Sequence, residues 1–194
     1  GLEDGRPQRP PRDLDPFQLQ LGVEGDAERA GRLLDQYRRS VASISFSAEV
    51  ATEDDDALME MLRANLFGAY RLTKRVVPAM VERRSGMVIN VCSTASIAAY
   101  PNGGSYSIAK HALHGFSRNL REEMKPHGVR VVALLPGATL TASWEGVPLP
   151  PERLMPAEDV ATMAWTAWSL SARSVVEDIV MRPQRGDIGD ADFS

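Results

Sequence analysis

The period of the apolar positions changes several times along the chain, and each change marks an element. Phe17, Leu19, Leu21 and Val23 alternate with polar residues, the period-two signature of a strand. From Asp26 the spacing becomes helical, with Ala27, Ala30, Leu33, Leu34 and Tyr37 on one face. Residues 40–46 predict a short strand or a loop. Thr52, followed three residues later by Asp55, opens another helix in a near capping box. Leu58, Met61, Leu62, Leu66, Ala69, Thr73 and Val76 carry its apolar face towards Pro78, and Ser85-Gly86 ends the segment. Residues 87–91 form a short apolar strand, and a loop of small residues runs from Ser93 to Ser105. Ala109, Ala112, Leu113, Phe116, Leu120 and Met124 then keep helical spacing until Pro126 and Gly128 stop the helix. Residues 129–135 are almost wholly apolar, as expected of a strand buried on both faces of a parallel sheet. A polar, proline-rich stretch at 142–156 precedes a helix over 157–170, and 175–181 predicts a last strand closed by Arg182-Pro183. Strands alternating with helices give an α/β class with a mainly parallel sheet.

Composition narrows the class of partners. With 194 residues the chain has the length of one domain, and residues 1–16, with four prolines, read as a flexible arm or loop ahead of it. A net charge of −4 offers no electrostatic footing for nucleic acid, and no apolar run is long enough to span a membrane. The single cysteine, Cys92, excludes an intramolecular disulfide and fits a reducing cytoplasm. It follows an apolar strand and reads as an inert core thiol. His111 and His114 lie three apart on a helix without the further ligands that a metal needs, and read as a surface pair. Trp165 and Trp168 read as packing residues. The acidic run 53–56 complements the dipole of the helix it opens.

The chemistry gathers in a few positions. Tyr106 and Lys110, at i and i+4, project from one helix face. A cation beside a phenol favours the phenolate, which makes the tyrosine usable as an acid or base near neutral pH. The same spacing also occurs on ordinary solvated faces. Ser93 ends a strand, at the sheet edge where open α/β proteins bind ligands, although turn serines are common there too. Asn65 interrupts an apolar helix face, so it is either a site residue or an amide that bends the helix. Pro136, Gly137, Thr139 and Thr141 follow a buried strand at the same sheet end, and read equally as a simple strand-to-loop turn.

Taken together, Asn65-Leu66-Phe67-Gly68, Val88-Ile89-Asn90-Val91-Cys92-Ser93, Tyr106-Ser107-Ile108-Ala109-Lys110 and Pro136-Gly137 with Thr141 resemble the short-chain dehydrogenase/reductase family in order and spacing. Residues 156–161 and 179–183 resemble the family's final helix and strand, and 17–39 more loosely its third strand and the following helix. The resemblance implies a Rossmann-like, doubly wound sheet and hydride exchange between NADP or NAD and a small alcohol or carbonyl compound. It implies that Tyr106 exchanges the proton, that Lys110 tunes it and binds the nicotinamide ribose, and that Ser93 holds the substrate oxygen. Asn65 would hold a water in a relay to Lys110. Pro136, Gly137, Thr139 and Thr141 would line the nicotinamide. It further implies a homodimer or homotetramer, paired through the helices that carry Asn65 and Tyr106.

The family's opening strand and its Thr-Gly-x-x-x-Gly-x-Gly turn, which cradles the pyrophosphate, have no counterpart here. Gly1 and Gly5 lack a third glycine, and Gly22 and Gly25 follow the wrong strand. The second strand and the Asn-Asn-Ala-Gly turn are likewise missing, so the expected sheet lacks the first strands. Three readings follow: an incomplete representation of a longer oxidoreductase, a shortened member that uses proton transfer alone as an isomerase or cyclase, or a non-catalytic binding homologue.

Overall fold

The computed structural model describes residues 21–22, 49–144 and 146–193. The expected arm at 1–16, most of the strand at 17–23, the helix from Asp26 and residues 40–46 lie outside the described residues. Strand β1 (Leu21–Gly22) pairs antiparallel with β2 (Gly86–Val91), placing Leu21 opposite Val88. Strand β2 pairs parallel with β3 (Val129–Pro136), and β3 pairs parallel with β4 (Asp178–Met181), giving the order β1-β2-β3-β4. The sheet is therefore mainly parallel, as the alternation of strands and helices predicts. Strand β4 is shorter than the apolar run suggests, since Glu177 and the residues before it stand outside the strand.

Both faces of the sheet are covered, which explains why β3 is apolar throughout. Val132 and Leu134 join Met87, Ile89 and Ile179 against Val160, Ala164 and Ala167 of helix α4 (Ala157–Ser169). The alternate residues Val131, Ala133 and Leu135 face the other way. There they meet Val77, Met80, Leu113 and Leu120 from helices α2 (Gly68–Glu82) and α3 (Gly104–Met124). All five residues from Val131 to Leu135 are fully buried. Strand β3 is thus the central plank on which both helical layers rest.

The helix expected to start at Thr52 begins instead as α1 (Ala57–Leu62), with Asp56 at its N-cap making no side-chain cap bond. The capping box with Asp55 does not form. The helix then widens into a π-helical turn, Arg63–Phe67, before continuing as α2. Pro78 lies inside α2, which runs on to Glu82. Helix α3 closes through a short 3-10 turn, Lys125–His127, and Gly128 at φ 70, the left-handed conformation that glycine adopts without steric cost. No helix among the described residues is long and apolar enough to cross a membrane.

Candidate active site

The carboxyl ends of β2 and β3 and the first turns of α3 meet at one edge of the sheet. Ser93 leaves β2 in extended conformation and is buried. It opens a 3-10 turn, Thr94–Ser96, through a reciprocal cap. The Ala95 N–H donates to Ser93 Oγ at 3.2 Å, and the Ser93 N–H donates to Ser96 Oγ at 3.1 Å. The ordinary role of a turn serine is therefore filled. Its hydroxyl accepts in this turn and keeps its own proton to donate elsewhere.

Tyr106 lies in the first turn of α3 and Lys110 one turn on, both half-buried. The Lys110 ammonium stands 5.6 Å from the centroid of the Tyr106 ring. Its Nζ donates to the Val91 carbonyl at 3.2 Å, two residues before Ser93. This contact rules out a simple solvated helix face. Lys110 thus reaches the end of the strand that precedes Ser93.

Asn65 occupies the middle of the π-helical turn. Its Nδ2 donates to the Met61 carbonyl at 3.1 Å, and Met61 Sδ stands 3.9 Å from the same nitrogen. Asn65 thus bonds a backbone carbonyl of the preceding turn, within a π-helical turn of the kind that recurs at functional sites. The turn packs against α3.

Just after β3 the Gly137 N–H donates to the Met181 carbonyl at 2.8 Å. A Cβ at Gly137 would lie 3.3 Å from that same carbonyl and 3.4 Å from Pro183, so the two strand ends approach closely at this glycine. Pro136 ends β3 half-buried. Thr139 Oγ1 donates back to the Gly137 carbonyl at 3.0 Å, and Thr141 Oγ1 lies 2.7 Å from Ser143 Oγ. The backbone of Thr139 also bridges to Met155, joining the loop after β3 to the entry of α4.

Four residues make polar contacts that were not legible in the sequence. His114 is buried, not a surface residue: its Nε2 contacts Asp178 at 3.0 Å, whereas His111 is exposed. Arg121, also buried, donates to Asp178 at 3.1 Å and to the carbonyls of Val131 and Glu177. Burial raises the Asp178 pKa, but the hydrogen bonds from Arg121 and His114 outweigh it and hold the carboxyl below its usual value. Arg153 is buried in the loop before α4, where it pairs with Asp192 and donates to the carbonyls of Gly186 and Asp187. Glu53 reaches the start of α3, as described below. Cys92 is buried and its thiol is pushed up to about 11 by that burial, the inert state its position predicts. No cluster of three potential metal ligands occurs among the described residues.

Comparison with known proteins agrees with this layout. The family model described as short chain dehydrogenase matches residues 40–149. A sepiapterin reductase from Chlorobaculum tepidum is 31% identical over 144 residues, covering 74% of this chain and 58% of that protein. The crystal structure of serine dehydrogenase from Escherichia coli superposes with TM-score 0.61 at 28% identity, covering 71% of this chain and 58% of that one. A 3-oxoacyl-[acyl-carrier protein] reductase with bound NAD from Brucella melitensis gives TM-score 0.61 at 26% identity, covering 74% of this chain and 57% of that one. The chain thus spans a little over half the length of these relatives.

Proposed function

Because the chain belongs to the short-chain dehydrogenase/reductase family, we propose that it is part of an NAD(P)-dependent oxidoreductase that interconverts a small alcohol and its carbonyl compound. The observation that carries this reading is the Lys110 contact with the Val91 carbonyl. It supports a tyrosine–lysine pair that works at the strand end leading to Ser93.

The residues present fit the nicotinamide–ribose half of such a cofactor. The Lys110 ammonium lies at the carboxyl end of β2 and the Thr139 and Thr141 hydroxyls follow β3, the region where open α/β sheets bind ligands. Lys110 and Tyr106 would hold the ribose, and Pro136, Gly137, Thr139 and Thr141 would line the nicotinamide. The bound dinucleotide supplies or accepts the hydride. Ser93 donates its hydroxyl proton to the substrate oxygen and orients it. Tyr106 gives its phenolic proton to that oxygen in reduction and takes it back in oxidation. Lys110 stabilises the charge left on the phenolate. Asn65, in the π-helical turn against α3, holds a water that returns the proton through Lys110. Exposed Tyr70 and Ile108 on the two long helices, and Val180 on β4, support assembly with further copies of the chain. We infer NADP or NAD as cofactor and the cytoplasm as location.

The test is an assay of NADPH and NADH consumption with a panel of small ketones and aldehydes. The cofactor would carry deuterium on its transferable position. Cofactor oxidation with deuterium delivered to the carbonyl carbon is the expected result. A product formed with no cofactor consumed would replace this reading with a non-redox proton transfer by the same residues.

A further inference from the structure

Helix α3 starts without a cap of its own. Gly103 is its N-cap and has no side chain to offer, although the first turn includes Ser105 and Tyr106. No larger residue fits there, because a Cβ at Gly103 would collide with the Ser107 hydroxyl and lie 2.9 Å from the Tyr100 carbonyl. The cap arrives from elsewhere in the chain. The Ser105 N–H donates to both Glu53 carboxylate oxygens, at 2.9 and 3.1 Å, and Ser105 Oγ donates to Oε2 at 2.5 Å. Ser105 is 3% exposed, so these charge-assisted bonds lie where water competes little. A carboxylate at a helix N-terminus also meets the positive end of the helix dipole.

Glu53 is itself held in place. Its N–H donates to the Glu49 carbonyl at 3.0 Å, and Thr52 bonds the same carbonyl through its N–H at 2.9 Å and its hydroxyl at 3.2 Å. The chain passes from Glu53 into α1, anchored by fully buried Met61, and then into the π-helical turn with Asn65. One stretch therefore grips the head of α3 at one end and carries Asn65 at the other.

We propose that Glu53 is a positioning residue for Tyr106, clamping the first turn of α3 from outside the helix because Gly103 cannot. This rests on the acid–base role proposed for Tyr106. Further along α3, buried Leu113, Ser117 and Leu120 hold the helix to the sheet independently of Glu53. Loss of the clamp therefore frays the turn that presents the phenol and leaves the rest of the helix in place.

Amide hydrogen exchange and steady-state kinetics on Glu53→Ala and Glu53→Gln test this. In Glu53→Ala, exchange at residues 105–107 is expected to rise by about tenfold, with residues 109–124 unchanged. The kcat is expected to fall by about tenfold while the carbonyl KM stays within about twofold. Glu53→Gln, which keeps an acceptor, should recover most of both. Ser105→Ala removes the hydroxyl bond and keeps the amide bonds, so it should give a smaller change in the same direction if Glu53→Ala folds poorly. Unchanged exchange at 105–107, a rise spread evenly over the chain, or fraying with undiminished kcat would each overturn the proposal. A wild-type protein that turns over no carbonyl would count against the oxidoreductase reading alone, and exchange would still decide whether Glu53 clamps the turn.

Discussion

Lys110 donates to the Val91 carbonyl at 3.2 Å, tying the second turn of α3 to the last residue of β2. A lysine spends considerable side-chain entropy to hold one such geometry, so a half-buried ammonium held to a backbone carbonyl is a costly arrangement for a surface residue. The same ammonium stands 5.6 Å from the centroid of the Tyr106 ring, one turn back on the helix. Helix and strand are thereby joined through one cation.

If Tyr106 exchanges the proton, Tyr106→Phe removes only the hydroxyl and should leave the half-buried ring packed as before. Turnover is expected to fall by about 10²–10⁴-fold with an unaltered far-ultraviolet circular dichroism spectrum. Turnover within about tenfold of wild type would assign the proton transfer to another group.

Lys110→Ala removes a charge-assisted bond and the cation beside the phenol. A loss of about 10- to 150-fold in kcat/KM is expected, the kinetic equivalent of about 1.5–3 kcal/mol. Lys110→Arg should not restore it, because a planar guanidinium cannot occupy the geometry of a compact ammonium. Full recovery with arginine would show that charge alone is required.

The Arg153–Asp192 pair predicts a pH dependence of stability. The hydrogen bond from Arg153, helped by the Gly189 N–H, lowers the Asp192 carboxyl to about 2, while an unfolded aspartate titrates near ~3.9. The folded value is the lower one, so the stabilisation is fully present above about pH 4 and is lost as pH falls through about 2. Urea unfolding of wild type and Asp192→Asn should differ at pH 6, and the difference should shrink towards pH 2. A difference that does not change with pH would mean that Asp192 is not held as an anion.

Leu134 is fully buried at the centre of β3 among Ile89, Val132 and Ala164. Leu134→Ala should cost about 2–5 kcal/mol in urea unfolding, since neighbours on two sides cannot collapse into the void. A cost below ~1 kcal/mol would show that this layer is loosely packed.

Much of the described fold is legible in the sequence, because its core strands are short and almost wholly apolar. The run of residues 129–135 announces a strand buried on both faces, and Val132 and Leu134 do face α4 while Val131 and Leu135 face the opposite layer. The order and spacing of the motifs around Asn65, Ser93, Tyr106 and Lys110 point to the family in the sequence itself. Two of the failures share one cause, which is long-range pairing of polar side chains. Glu53 reads locally as a dipole-complementing acid, yet its carboxylate bonds Ser105, which only the packing of α1 on α3 brings near. His114 reads as half of a surface pair because the partner that buries it, Asp178, lies on a distant strand. The π-helical turn at Asn65 is equally silent, since the helical pattern runs through it without a proline or glycine to mark the break.

The proposed activity is tested most directly by titrating the protein with NADPH and with NADH, followed by cofactor fluorescence and by calorimetry, with Lys110→Ala as the control. Saturable binding of one dinucleotide in the micromolar range, weakened by Lys110→Ala, is expected if the ends of β2 and β3 form the nicotinamide side of an oxidoreductase site. No binding of either dinucleotide at millimolar concentration would contradict that function for this chain. Ser93, Tyr106 and Lys110 would then be left as a proton-transfer site in search of another reaction.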